Sequence, residues 1–220
     1  MSNKVIVFGT GSLGQVVHFY LTTDSDFRVV AFTVNKSHIT DEEFLGLPLV
    51  LFEDIEKIYP PDEFQMFVAV GYTKVNKVRA GIYQEAKNKG YKLISYVNSK
   101  IACWGDTKIG DNCFILENQT IQPFVTIGND VIIWSGNHIG HHVSIGDHCF
   151  ISSHVVICGH AKIGSYCFLG VNATIRDGIE IASECVIGAG SLIMKDTREK
   201  EVYIAMRTEP SSRDSTQLKM

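Results

Sequence analysis

The sequence predicts two units in series: a small α/β domain over residues 1–95 and an all-β parallel solenoid over 96–195, followed by a C-terminal cap and tail over 196–220. Three observations lead there. A strand, a glycine-rich turn and a helical pattern open the chain, strands and helices alternate to about residue 95, and an aliphatic period of six then takes over.

The period of six is the most informative of these. Stepping by six from Ile109 meets Ile115, Ile121, Ile127, Ile133, Ile139, Ile145, Ile151, Ile157, Ile163, Leu169, Ile175, Ile181, Ile187 and Ile193 with no insertion. Gly often follows, and the fifth place of each hexad is mostly small, as at Cys113, Val131, Ala161 and Ser191. Six matches neither the helical period nor strand alternation. It suits a coil of short strands and tight turns with one inward aliphatic per side. Three sides give a triangular coil of 18 residues, so five coils stack at ~4.8 Å spacing. Each buried aliphatic contributes about 1.5–3 kcal/mol against a backbone ordering cost of ~1–2 kcal/mol per residue. Open end coils need covering. Val202–Ala205 reads as a strand over the last coil, after the charge run Asp196–Glu201, and the polar Glu209–Met220 is expected to be mobile.

In the first unit, Lys4–Phe8 is an apolar strand that runs into Gly9-Thr10-Gly11-Ser12-Leu13-Gly14 and a helical pattern to Leu21. Arg28–Phe32 is the second strand of this βαβ unit. A short helix over Asp54–Tyr59 stops at Pro60-Pro61, and a strand over Phe67–Val70 ends at Gly71-Tyr72. The amphipathic helix Val75–Lys89 is closed by Gly90, and Tyr91–Tyr96 is a last strand into the solenoid. Gly9, Gly11 and Gly14 have the spacing that lets a backbone approach a diphosphate at a helix N-terminus, so the unit is Rossmann-like. Gly9, Thr10, Gly11, Ser12 and Gly14 are therefore candidate ligand contacts. Thr33 and Asn35 after the second strand, and Gly71 and Tyr72 after the third, join them. No carboxylate ends the second strand to hold a ribose, and the domain is short for a complete dinucleotide fold. The diphosphate of a nucleotide-linked substrate is favoured over NAD, with plain turn glycines as the alternative.

Composition narrows the partners. A net charge of −4 argues against nucleic acid or an anionic membrane surface, and no apolar run approaches the ~20 residues of a membrane span. No leader pattern opens the chain, so a cytoplasmic location is expected. Cys113, Cys149, Cys167 and Cys185 share the small fifth place, which predicts buried, reduced thiols. Six of the eight histidines fall between 138 and 160. His142, His148, His154 and His160 share the fourth place, and His141 stands in the third. One coil above His141 comes Gly159, whose missing side chain leaves space about 4.8 Å from the imidazole's coil.

The repeat, the glycine loop and the way the two units join resemble the hexapeptide-repeat sugar acyltransferases. These comprise the sialic-acid O-acetyltransferase type and nucleotide-aminosugar N-acetyltransferases of the perosamine N-acetyltransferase kind. The resemblance covers Lys4 to about Lys195. It implies a left-handed parallel β-helix, an exception to the right-handed crossover rule. It further implies a homotrimer with active sites between subunits, the nucleotide sugar on the first unit and acetyl-CoA on the β-helix. His141, ahead of Ile145-Gly146-Asp147, becomes the general base and Gly159 the oxyanion donor, with Asn137 and His138 near the acceptor. An imidazole, ordinarily titrating near ~6.5, suits proton removal at neutral pH. Relatives set an acidic residue beside this histidine. Here the neighbours are Gly140 and His142, which leaves Glu117 or Asp147 to orient it. Gly170, Asn172 and Lys195 are candidate CoA contacts. Trimeric β-helical carbonic anhydrases hold zinc on histidines, but their ligand spacing is not matched, so no metal is expected. The implied activity is acetyl transfer to the 4-amino group of a nucleotide-linked 4-amino-4,6-dideoxyhexose, for bacterial surface glycans such as O-antigen. O-acetylation of a sialic acid or other glycan hydroxyl is the alternative enzyme, and a trimeric scaffold the non-enzymatic one.

Overall fold

The computed structural model describes residues 3–39, 41–212 and 216, so most of the tail reading for 209–220 lies outside the described residues. Six strands form the first sheet in the order β3-β4-β2-β1-β5-β6. They are β1 (Lys4–Phe8), β2 (Arg28–Val34), β3 (Glu43–Phe44), β4 (Leu47–Leu51), β5 (Gln65–Val68) and β6 (Lys92–Leu93). Helix α1 (Ser12–Thr23) joins β1 to β2, a single turn α2 (Ile55–Ile58) precedes β5, and α3 (Lys77–Asn88) precedes β6. All pairings are parallel except β3 with β4. The apolar runs of β1 and β5 are buried because both sheet faces are covered.

The β3–β4 hairpin escaped the sequence reading. Its turn residues Leu45 and Gly46 both have positive φ, 53° and 73°, the two-residue hairpin geometry that Asn-Gly usually signals. A leucine in that place hides the turn. The helix expected from Val75 starts two residues later, because Lys74, Val75 and Asn76 form a left-handed turn with φ of 51–64°.

From Tyr96–Val97 to Leu192–Ile193 the chain winds through two-residue strands, every third of which pairs in parallel with the next coil. Three flat faces result. The first runs from Tyr96–Val97 to Val186–Ile187 and is capped by Val202–Tyr203, as expected. The second runs from Ala102–Cys103 to Leu192–Ile193, and the third from Lys108–Ile109 to Glu180–Ile181. The six-residue register reaches back through Cys103 to Val97, two hexads earlier than the isoleucine run indicated, because neither has the Ile-Gly form. The strand expected over Tyr91–Tyr96 is accordingly two: β6, and the first rung of the solenoid. Hexad aliphatics and the small fifth-place residues fill one dry core. Cys113, Cys149, Cys167 and Cys185 are buried there as free thiols.

Every sixth residue from Asn112 to Gly190 has positive φ. These are the fourth places, where the chain turns each corner. Asn, Asp, His and Gly tolerate that conformation better than other residues. The histidine clustering at 142, 148, 154 and 160, each with φ of 59–60°, follows from this requirement.

The α/β domain docks on the first face. Val17, Leu21 and Phe67 share a buried cluster with Phe114, Leu116, Ile132 and Phe150 of the β-helix. Beneath it lies a polar anchor. Arg79 of α3 is fully buried and donates from Nε to Asp130 Oδ1 (3.0 Å) and from Nη2 to the Asp130 and Cys149 carbonyls (3.0 and 3.1 Å). Its Nη1 donates to Asn76 Oδ1 at 3.1 Å and to the Gly71 carbonyl at 3.4 Å. The Asp130 carboxylate also accepts from Asn112 (2.7 Å) and faces His148 Nδ1 (2.8 Å).

Candidate active site

Two sites emerge, on different parts of the molecule. The first lies over the N-terminus of α1. Gly9, with φ of 115°, turns the chain so tightly that a Cβ there would stand 2.6 Å from the Ala69 carbonyl oxygen. A Cβ on Gly14 would run into the Gly9 carbonyl, so this glycine lets α1 pack against the turn. Gly11 is different: a Cβ there meets nothing within 4 Å. It caps α1 with no side-chain hydrogen bond, and no acidic residue stands in the first turn. The free N–H groups and the positive end of the helix dipole thus face a cavity of about 390 Å³. Of the candidate contacts, Gly9, Thr10, Gly11, Ser12, Asn35 and Gly71 line it. So do His38, Val34, Val70 and Val78, which carried no motif and were missed.

Thr33 is not among the lining residues. It is fully buried and its Oγ1 donates to the Val50 carbonyl at 3.0 Å, so its polar group is spent between strands. Tyr72 turns to the β-helix, its ring 4.9 Å from both Phe150 and Phe168. Gly14 does not line the cavity and serves to pack α1 against the turn.

The second site lies on the edge between the second and third faces. His141, Gly159, Asp177 and Lys195 stand in one column there, each 18 residues above the last. A Cβ on Gly159 would be 3.0 Å from His141 Nε2 and 3.0 Å from Asp177 Oδ2, so the glycine opens a slot between imidazole and carboxylate. Gly159 is itself buried. Its carbonyl accepts from Gly178 N, while its own N–H donates to no group among the described residues. That N–H, beside the imidazole, is free to donate to a ligand oxygen.

His141 Nδ1 lies 3.2 Å from His142 Nδ1. One of the two must carry the hydrogen, and a proton on His141 Nδ1 leaves the Nε2 lone pair toward the slot. Neither expected carboxylate does this. Both Glu117 oxygens are engaged, by Tyr20 (2.7 Å) and Ser135 (2.8 Å), and Asp147 accepts from Asn129. Burial pushes the Glu117 carboxyl up, but these hydrogen bonds outweigh it and hold it low, while burial and the same contact push Tyr20 to about 12.

Other predicted contacts scatter. Asn137 is buried, donating to the Trp134 carbonyl and accepting from Val155 N at 2.6 Å; its amide joins coils rather than meeting solvent. His138 is half-buried on the second face. Gly170 and Asn172 turn the edge between the first and second faces, away from the His141 column. A Cβ on Gly170 would strike Ala189 N at 2.6 Å. Lys195 is exposed three coils above His141, in a groove with Met194, Asp196 and Arg198.

The repeat, the three-faced coil and the domain ahead of it define a class: a hexapeptide-repeat protein with an α/β domain before a left-handed parallel β-helix. Residues 106–137 and 124–159 match the family described as bacterial transferase hexapeptide (six repeats), and 160–195 match the hexapeptide repeat of succinyl-transferase. Over most of its length the chain has the fold of the acetyltransferase domain of PglB from Neisseria gonorrhoeae. That likeness has 22% identity and a TM-score of 0.78 and covers 91% of this chain and 96% of that one. A mutant of perosamine N-acetyltransferase from Caulobacter crescentus, in complex with CoA and GDP-perosamine, is equally similar. Its identity is 22% and its TM-score 0.81, with 90% of this chain and 92% of that chain covered. Among curated proteins, none matches this chain in sequence.

Proposed function

We propose that this protein is an acetyl-CoA-dependent N-acetyltransferase of a nucleotide-linked amino sugar, acting on the 4-amino group of a 4-amino-4,6-dideoxyhexose. The observation that carries the reading is the placing of His141 Nε2 beside Gly159, whose N–H donates to no group among the described residues. The diphosphate would sit on the α1 N-terminus, its nucleoside against Val34, Asn35 and His38. The acetyl thioester would enter the slot, with the pantetheine arm running up the column toward Lys195.

The steps follow from these positions. As the sugar amine attacks the thioester carbonyl, His141 Nε2 takes its proton, and His142 stabilises the imidazolium through Nδ1. The oxygen of the tetrahedral adduct accepts from Gly159 N–H. Collapse expels the CoA thiolate, which takes the proton back from the imidazolium. Transfer is direct, and the four fifth-place thiols, sealed in the core, take no part in it.

Geometry also favours a shared site and the homotrimer. The α/β domain bonds to the first face and its flanking edges, as in Tyr20–Glu117, Arg79–Asp130 and Lys77–Glu184. His141 stands on the opposite edge of the prism, whose sides of six residues span up to ~20 Å. A sugar held by one chain would thus meet His141 of another copy.

The test is thiol release from acetyl-CoA with GDP-, dTDP- and UDP-linked 4-amino-6-deoxyhexoses, their 4-hydroxy counterparts and free sialic acid. Turnover confined to one amino sugar is expected. It should be lost in His141→Ala and, through substrate affinity, in Gly11→Val, whose Cβ would meet no atom within 4 Å and whose branches would crowd the cavity. Turnover with hydroxyl acceptors alone would assign O-acetylation instead, and full activity in His141→Ala would end the mechanism.

A further inference from the structure

Three imidazoles meet beside the slot. His142 and His160 hold the same corner place on successive coils, both with φ of 59°, so their rings stack with centroids 4.8 Å apart and planes 16° apart. The His141 ring stands edge-on to both, at 5.3 and 4.8 Å. One ring nitrogen from each lies within 4.8 Å of the other two, and all three side chains are exposed.

A tetrahedral zinc ion with Zn–N bonds of ~2.0–2.1 Å holds its nitrogens about 3.3 Å apart. The two Nδ1 atoms of His141 and His142, at 3.2 Å, already make one edge of that tetrahedron. His160 closes the rest by rotating an exposed ring. The backbone under the three rings is fixed: His142 N donates to the Pro123 carbonyl (3.2 Å) and His160 N to the His141 carbonyl (2.9 Å). Phe124 closes the stack below, its ring 4.6 Å from His142. Gly178 above has no side chain, which leaves the upper side open to an ion. Imidazole donors of this kind suit zinc, copper, nickel and cobalt rather than magnesium or calcium.

We propose that His141, His142 and His160 form an inhibitory site for a divalent transition-metal ion of the zinc type. The chemistry supplies the inhibition. A metal on His141 Nδ1 sends the remaining ring proton to Nε2, the nitrogen that faces Gly159, and so removes the base. It also replaces the direct His141–His142 contact between the two Nδ1 atoms. The ion site stands on the three rings alone; only its effect on turnover rests on the acetyl-transfer reading.

The experiment titrates full-length protein with Co²⁺ and follows its visible ligand-field spectrum. One ion per chain with the intense absorption of a tetrahedral site is expected, displaced by Zn²⁺. His160→Asn should abolish it while keeping the corner, since Asn accepts positive φ as His does. Should that variant fail to fold by circular dichroism, His142→Asn gives the same reading from the spectrum alone. With acetyl transfer as the second readout, His160→Asn should keep basal turnover and need at least tenfold more Zn²⁺ for half-inhibition. A spectrum that stays that of the aqua ion, or binding unchanged without His160, would overturn the site. Failure of acetyl transfer would not touch the cobalt result, so the two readings fall separately.

Discussion

Replacing Arg79 by Met tests how the two units are joined. The guanidinium and the Asp130 carboxylate are both fully buried, and Arg79 spans α3, the 71–76 loop and two coils of the β-helix. Removing one partner of a buried pair costs about 3–5 kcal/mol, because the other charge stays desolvated. Here Asn112 and His148 remain on Asp130 and soften the loss, so about 3 kcal/mol is expected, roughly a 150-fold shift in the folding equilibrium. Urea denaturation followed by circular dichroism measures it, with an unchanged m-value required for the comparison. The double variant Arg79→Met/Asp130→Asn removes both charges and should recover part of the loss. A single-variant change below about 1 kcal/mol would refute the assignment of Arg79 as the principal polar anchor.

Gly159→Ala should leave stability within ~1 kcal/mol of the parent, since its Cβ meets only the movable ends of His141 and Asp177, yet lower acetyl transfer on the order of 100-fold by filling the slot. Unaltered turnover would mean that the thioester lies elsewhere. Asp24, held to about 2 by Ser99 and Tyr96, fastens α1 to the first coil, and its contribution is present above pH ~4 and lost as pH falls toward 2. Asp24→Asn should flatten acid unfolding over that window; an identical pH profile would count against the clasp. In a thiol-reagent time course, Cys103 and Cys158 should react first, while burial, which pushes Cys113 up to about 12, keeps the core thiols silent until unfolding. Rapid native labelling of all six would contradict the dry core.

The sequence displayed the β-helix more fully than the α/β domain, and for a physical reason. A hexad core repeats one environment, so each isoleucine is independent testimony to it, whereas the Leu45-Gly46 hairpin is a single event. At the candidate site the period sufficed to stack Gly159 on His141. It did not reveal what a side chain does with its polar atoms. Thr33 and Asn137 look like ligand contacts by residue type, yet their hydrogen bonds close inside the fold. Nor did residue type disclose His142 as the neighbour of His141 Nδ1, because a carboxylate was sought. His38 was invisible for want of any pattern, since the cavity is assembled from separate loops.

The column of His141, Gly159, Asp177 and Lys195 converts sequence separation into height, each 18 residues adding one coil of ~4.8 Å. The far edge is in effect a ruler. An inserted coil above Asp177 would carry Lys195 one division away from His141 while every face kept its pairing, and the α/β domain would keep its anchor at Asp130. The reach demanded of a bound arm is therefore set by coil number, a length that whole-coil gain or loss can change without redesigning the chemistry at its foot.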